Sequence, residues 1–257
     1  MADAATLPLL LRQLRLPTMA GCSEEVTERA VTHGWSVAAT LATLCEYELA
    51  ERERRRLERH LKEARLPTGK TLEAFDFQAI NGADRNQLSA LACETGWIEQ
   101  ARNLLLFGPS GVGKSHLAAA ISHALIEQDL RVRYYAASAL VQELQTAKQA
   151  LRLSEALSKL DKYRLLVIDD LGYVKRSEAE TSVLFELIAH RYEAGSLLIT
   201  SNQPFSAWDN VFPDDMMAVA AIDRLIHHAH VVELSGESYR KRAHTAQRKK
   251  GKTASAA

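Results

Sequence analysis

The stretch LLLFGPSGVGKSH, residues 104–116, constrains this chain more than any other part of it. Its apolar opening reads as a buried strand, and the residues from Lys114 onward read as a helix. Between them GPSGVGKS (Gly108, Pro109, Ser110, Gly111, Val112, Gly113, Lys114, Ser115) fits G-x-x-x-x-G-K-[ST], after a strand and opening a helix. Glycines let backbone N–H groups converge on a phosphate, where side chains would block them. The helix N-terminus adds partial positive charge. Lys114 is placed to reach the β- and γ-phosphates, Ser115 to offer its hydroxyl to Mg²⁺, and His116 follows them into the helix. The stretch predicts a nucleotide phosphate site.

LLVIDD, residues 165–170, is the matching second element, an apolar strand ending in carboxylates. Asp169 would hold Mg²⁺ through water opposite Ser115, and Asp170 is placed to polarise the attacking water. LLITSN, residues 197–202, is another buried strand with a polar end. Asn202 there would contact the γ-phosphate or the water, with a plain strand-ending turn as the alternative. In IDRLIHHAHVVELSGESYRKR, residues 222–242, Arg224 and Arg240 flank a strand. Read alone, Arg224 is either a surface arginine beside Asp223 or one that inserts into a neighbour's site. His227, His228 and His230 straddle a helix end, a spacing that argues against a metal site.

After residue 100 strands and helices alternate. Strands are expected at 103–107, 132–136, 165–169, 197–201 and 230–234, and helices at 114–127, 138–160, 177–192 and 214–227. Ser177 and Glu180 form a capping-box pair opening the third helix. Nearly all-apolar central strands alternating with helices predict an α/β fold with a parallel sheet covered on both faces. The first 66 residues read as helical, and LPTGKTLEAFDF (66–77), with Pro67 and Gly69, breaks that pattern. The expected organisation is a helical domain over 1–66, a nucleotide-binding domain over 67–236 and a tail over 237–257. Within the helical region residues 46–65 carry seven Lys/Arg and six Asp/Glu. Glu48–Arg52 and Glu58–Lys62 stand at i,i+4, so this helix is expected to support a solvated face of its own, with partner docking as the alternative.

Lys plus Arg equals Asp plus Glu at 32 each, so total charge points to no partner. The tail is different: residues 237–252 hold seven Lys/Arg and one acid without an apolar pattern. It is expected to be disordered and drawn to polyanions, or simply to aid solubility. Three scattered cysteines argue against a disulfide framework and fit a reducing compartment. No segment reads as a signal peptide or membrane span, which makes the cytoplasm the expected location and a membrane no expected partner.

The ordered set GPSGVGKS, LLVIDDLG, LLITSN, DRL and SYR resembles the AAA+ ATPases, within them the DnaA/DnaC branch. With LRLPTMA near the start and TLEAFDF at 71–77, it is most similar to the IstB-like helper ATPases of bacterial insertion sequences, over nearly the whole chain. That resemblance implies an AAA+ domain with a central five-stranded parallel sheet flanked by helices, preceded by a small all-α domain. It implies that Arg224 is an arginine finger, that Arg240 is a second sensing arginine, and that Phe75 and Phe77 lie near the adenine side, in a 67–78 linker. It implies that residues 138–160, through Lys148, Arg152 and Lys159, face DNA inside a spiral or ring of subunits. The function implied is an ATP- and Mg²⁺-dependent assembly that deforms duplex DNA and works with a transposase. No helix-turn-helix or zinc pattern is present to read base sequence, so the DNA contact is expected to be non-specific. Asp170 is one methylene shorter than the glutamate common at this position, which bears on turnover rate. A DnaC-type helicase loader shares every nucleotide motif and is the alternative. A small-molecule kinase would need an arginine-rich lid, and none is evident.

Overall fold

A computed structural model describes residues 6–82, 84–172, 177–204, 208 and 215–239. Arg240 and nearly all of the basic tail lie outside the described residues. The chain divides into two compact units, Met1–Arg59 and His60–Ala257.

The first unit is helical: α1 (Leu7–Gln13), α2 (Pro17–Thr32) and most of α3 (Val37–Ala64). Leu11, Met19, Ala20, Val26 and Leu44 form its core, with Trp35 packed against it. Glu48 departs from the solvated face that its spacing suggests. It is 3% exposed, and its Oε2 accepts the N–H groups of Thr18 at 2.8 Å and Met19 at 3.1 Å. Those groups belong to the first turn of α2, whose N-cap position holds Leu16 and provides no side-chain cap. Glu48 thus caps that helix from a distance in sequence. Its Oε1 accepts from Arg52 Nε at 2.8 Å.

Burial pushes the Glu48 carboxyl pKa up, but the Met19 N–H, the Arg52 guanidinium and the Thr18 N–H outweigh it and hold the group below its usual value. A carboxyl whose pKa is lower folded than unfolded stabilises fully above its unfolded value, about 4.3. That stability is lost as pH falls through the lower, folded value. Glu48→Ala is expected to destabilise the first unit by about 1–3 kcal/mol at neutral pH. Urea unfolding monitored in this unit checks it, and the difference from wild type should shrink in acid.

The second unit is built on a parallel sheet of β2 (Asn103–Phe107), β3 (Val132–Ala136), β4 (Leu165–Leu171), β5 (Ser196–Ser201) and β6 (Ala229–Glu233). The strand order is β3-β4-β5-β2-β6. Three of these strands are wholly or almost wholly buried, as expected for a sheet covered on both faces. On one face Leu105, Phe107, Leu166 and Ile168 pack with Leu140 and Leu144 of α7 (Ala137–Gln149), Leu157 of α8 (Leu153–Leu160) and Leu184 and Leu187 of α9 (Glu178–Arg191). α10 (Asp215–Ile226) adds Ala221 and Leu225 to the same core. The strand period of two turns Leu104, Leu106, Val167 and Leu198 to the other side. α6 (Lys114–Glu127) also packs on the sheet and buries Leu117, Ile121 and Leu125, and α4 (Arg85–Cys93) packs against α6. The capping box at Ser177 and Glu180 is present at the start of α9.

The helix expected over 138–160 is broken. Leu151 adopts φ 57° between α7 and α8 and is 95% exposed. Two further pieces lie outside the expected set. α5 (Gly96–Glu99) buries Trp97 and Ile98 below β2 in sequence. A short antiparallel ribbon pairs β1 (Ile80–Asn81) with β7 (Ser235–Gly236). Among the described residues no helix is long and apolar enough to cross a membrane.

Candidate nucleotide site

The glycine loop joins the buried end of β2 to α6, as its spacing requires. Gly113 occupies the cap position of α6 at φ 100°, and a Cβ there would come within 2.6 Å of the Phe75 ring. Gly111, at φ 88°, is approached as closely by the Ser238 hydroxyl, and the Tyr239 N–H donates to Gly111 O at 3.0 Å. Two distant segments therefore press on the loop, and glycine is what lets them do so. A His116 ring nitrogen stands 2.8 Å from Thr71 O, and the ring meets Phe75 edge-on at 5.2 Å. The Lys114 ammonium is buried over the loop and donates to Gly108 O at 2.7 Å and Pro109 O at 2.9 Å.

A cavity of about 540 Å³ lies over this loop, lined among others by Phe75, Ser110, Lys114, Ser115, Asp170 and Tyr239. That is ample for a nucleotide-sized ligand. It brings together the loop, the second carboxylate of LLVIDD and one of the two phenylalanines. Phe77 stands behind Phe75, 4.8 Å away in an edge contact and beneath the Arg85 guanidinium.

Two residues that the sequence did not single out govern the carboxylates. Thr200 Oγ1 donates to Asp169 Oδ1 at 2.6 Å and accepts the Asp170 N–H at 2.8 Å. Tyr134, on the adjoining strand, carries a buried hydroxyl. It lies near Asp169 and Ser115. Burial, and next the Asp169 charge, push its pKa well up and keep it a neutral phenol. A serine hydroxyl and a carboxylate gathered beside this phenol make a hard-oxygen setting, and Ser115 and Asp169 fit a hydrated Mg²⁺. Asn202, just beyond β5, has a buried Oδ1 without a partner among the described residues.

Arg224, Lys148, Arg152 and Lys159 are not among the described residues that line the cavity. Arg224 is in the last turn of α10, where it donates to Ala220 O at 2.8 Å and lies 5.2 Å over the Phe185 ring. Lys148 at the end of α7 pairs with Glu186 at 2.7 Å, and Arg152 and Lys159 both pair with Glu155, at 2.8 and 2.9 Å. The histidines divide. His227 and His228 gather with Glu193 on the exposed end of α10, whereas His230 packs edge-on against Trp97.

A family model described as IstB-like ATP binding protein matches residues 9–247. The chain belongs to this family. A putative insertion sequence ATP-binding protein (y4iQ/y4nD/y4sD) of Sinorhizobium fredii is 51% identical to it over 253 residues, covering 98% of this chain and 85% of the relative. The insertion sequence IS21 putative ATP-binding protein of Pseudomonas aeruginosa is 37% identical, covering 91% and 88%. Among solved structures, the AMPPCP-bound DnaA from Aquifex aeolicus is similar with a TM-score of 0.53 at 20% identity, over 66% of this chain and 51% of that one. The DnaC helicase loader gives 0.52 at 16%, over 65% and 98%. At such identity these likenesses speak for the fold alone. With the five-stranded parallel sheet they give the second unit of this IstB-like protein the AAA+ P-loop fold, preceded by a helical region, as the resemblance implied.

Proposed function

We propose that this IstB-like protein is an ATPase that assembles on duplex DNA in its ATP-bound form, deforms the DNA and assists a transposase in moving an insertion sequence. The observation that carries the reading is the cavity that sets Asp170 opposite the phosphate loop, in a chain whose family match runs from residue 9 to 247. In this reading Lys114 and the loop N–H groups grip the phosphates while Phe75 borders the base. Ser115 and Asp169 hold Mg²⁺, which when bound neutralises charge developing on the phosphate oxygens. Asp170 takes the proton side of the attacking water, and Asn202 contacts the γ-phosphate or that water. Arg224 reaches the site of a neighbouring subunit, and Arg240 is a second arginine for the nucleotide. ATP shared between two subunits makes the assembly depend on the γ-phosphate, and hydrolysis releases it.

For DNA, the reading assigns α7 and α8 to the duplex. Lys148, Arg152 and Lys159 are held in exposed, solvent-screened ion pairs, so exchanging a glutamate for a backbone phosphate costs little. Bending a short duplex costs roughly 1–6 kcal/mol, which many subunits sharing backbone contacts can offset. The relatives named for insertion sequences favour this over a helicase loader, which shares the fold.

Light scattering on the full chain with duplex DNA tests it. A large, salt-sensitive assembly is expected with ATP and DNA together and not with ADP. A monomer indifferent to DNA in both nucleotide states would sink the reading, and capture of a hexameric helicase by that monomer would put a loader in its place.

A further inference from the structure

β4 and β5 pair residue by residue from Leu165↔Ser196 to Ile168↔Ile199, and the pairing resumes only at Leu171↔Ser201. Asp169 and Asp170 therefore stand opposite a single residue, Thr200. This is a β-bulge, a device that re-aims a side chain and is rare between parallel strands. Asp170 pays for the turn with a left-handed backbone, φ 65°. A bulge also leaves a ladder group without its partner, here the Asp170 N–H.

Thr200 answers both needs with one oxygen. An amide can only donate, so Oγ1 accepts from Asp170, and its own proton goes to Asp169 Oδ1. The side chain is fully buried, and branching at Cβ restricts its rotation, so the hydroxyl is held in place. No other side chain among the described residues is recorded as a hydrogen-bond partner of both aspartates.

The geometry points to Thr200 as a positioning residue for ATP hydrolysis: its hydroxyl fixes the Asp169 carboxylate and the bulge that presents Asp170 to the cavity. The inference rests on the roles proposed above for the two aspartates. It adds that the strand ending beside Asn202 also sets the carboxylates, so the nucleotide contact and the hydrolytic pair share one rigid element.

Thr200→Val keeps the shape and loses both hydrogen bonds; Thr200→Ser keeps the hydroxyl. Full-length variants are compared in the presence of duplex DNA for kcat, for KM, and for the Mg²⁺ concentration giving half-maximal rate. A turnover-free readout is added: the gain in affinity for a non-hydrolysable ATP analogue when Mg²⁺ is supplied. Thr200→Val is expected to lower kcat and weaken the Mg²⁺ response by about 10–100-fold, the usual cost of losing a group that orients a metal ligand. KM in excess Mg²⁺ and analogue affinity without Mg²⁺ should stay unchanged, and Thr200→Ser should behave as wild type. Wild-type values for Thr200→Val overturn the inference, as does a Thr200→Ser variant equally impaired. If Thr200→Val does not fold, Thr200→Ala against Thr200→Ser decides, since equal rates for that pair also overturn it. A wild-type chain that never hydrolyses ATP overturns the proposed function and this inference together. A hydrolysing wild type with an indifferent Thr200→Val overturns this inference alone.

Discussion

Arg224→Ala is expected to bind ATP as the wild type does and to hydrolyse it about 10³–10⁵ times more slowly, the span measured where an arginine completes a neighbouring site. The position of Arg224 supports this. It sits outside the cavity lining of its own subunit, on the last turn of α10, stacked over Phe185. An arginine so placed would act on the γ-phosphate of a neighbouring copy rather than on that of its own subunit. Mixing separates that arrangement from a structural role: Arg224→Ala offers an intact phosphate loop, and Lys114→Ala offers an intact arginine. Mixed oligomers should recover part of the ATPase rate that neither variant has alone. No recovery, with both variants folded and co-assembled, would remove Arg224 from the hydrolytic site. Arg224→Lys should remain slow, since a lysine keeps the charge without the planar fork.

The second large effect is on binding. Lys114→Ala is expected to weaken ATP by about 2–5 kcal/mol, at least some thirtyfold, because it deletes the buried cation proposed to pair with the phosphates. Titration with a fluorescent nucleotide measures it. The same change also removes the bonds from Nζ to the carbonyls of Gly108 and Pro109, so thermal unfolding must be followed in parallel. A folded Lys114→Ala with wild-type affinity would mean that the loop is not the phosphate site.

Where one residue type performs one local task, the sequence revealed the structure well. β2, β3 and α6 begin and end where the apolar runs and the glycine-to-lysine switch place them. α4 was equally readable in principle: Asp84 caps it through the Asn86 N–H, and Leu88, Leu91 and Ala92 mark its buried face. What escaped depends on partners remote in sequence. Glu48 looked like one half of a surface pair, and only the start of α2 makes it a buried cap. The break at Leu151 carries no glycine or proline. Alanine, lysine, glutamine and leucine around it all favour helix, so burial of Leu153 and Leu157 has overridden propensity. Thr200 and Tyr134 read as ordinary strand residues, since neither spacing nor composition shows that β4 slips by one residue beside them.

The segments entering and leaving the AAA+ core meet at the glycine loop. Phe75 and Thr71 arrive from one side, Ser238 and Tyr239 from the other, and the β1–β7 ribbon joins the two, Ile80 against Gly236. If a nucleotide that holds the loop in this shape also steadies the ribbon, then by reciprocity a partner that pulls on either strand changes nucleotide affinity by the same factor. Such a junction would then be a thermodynamic coupler between the nucleotide and the two chain segments that flank the fold.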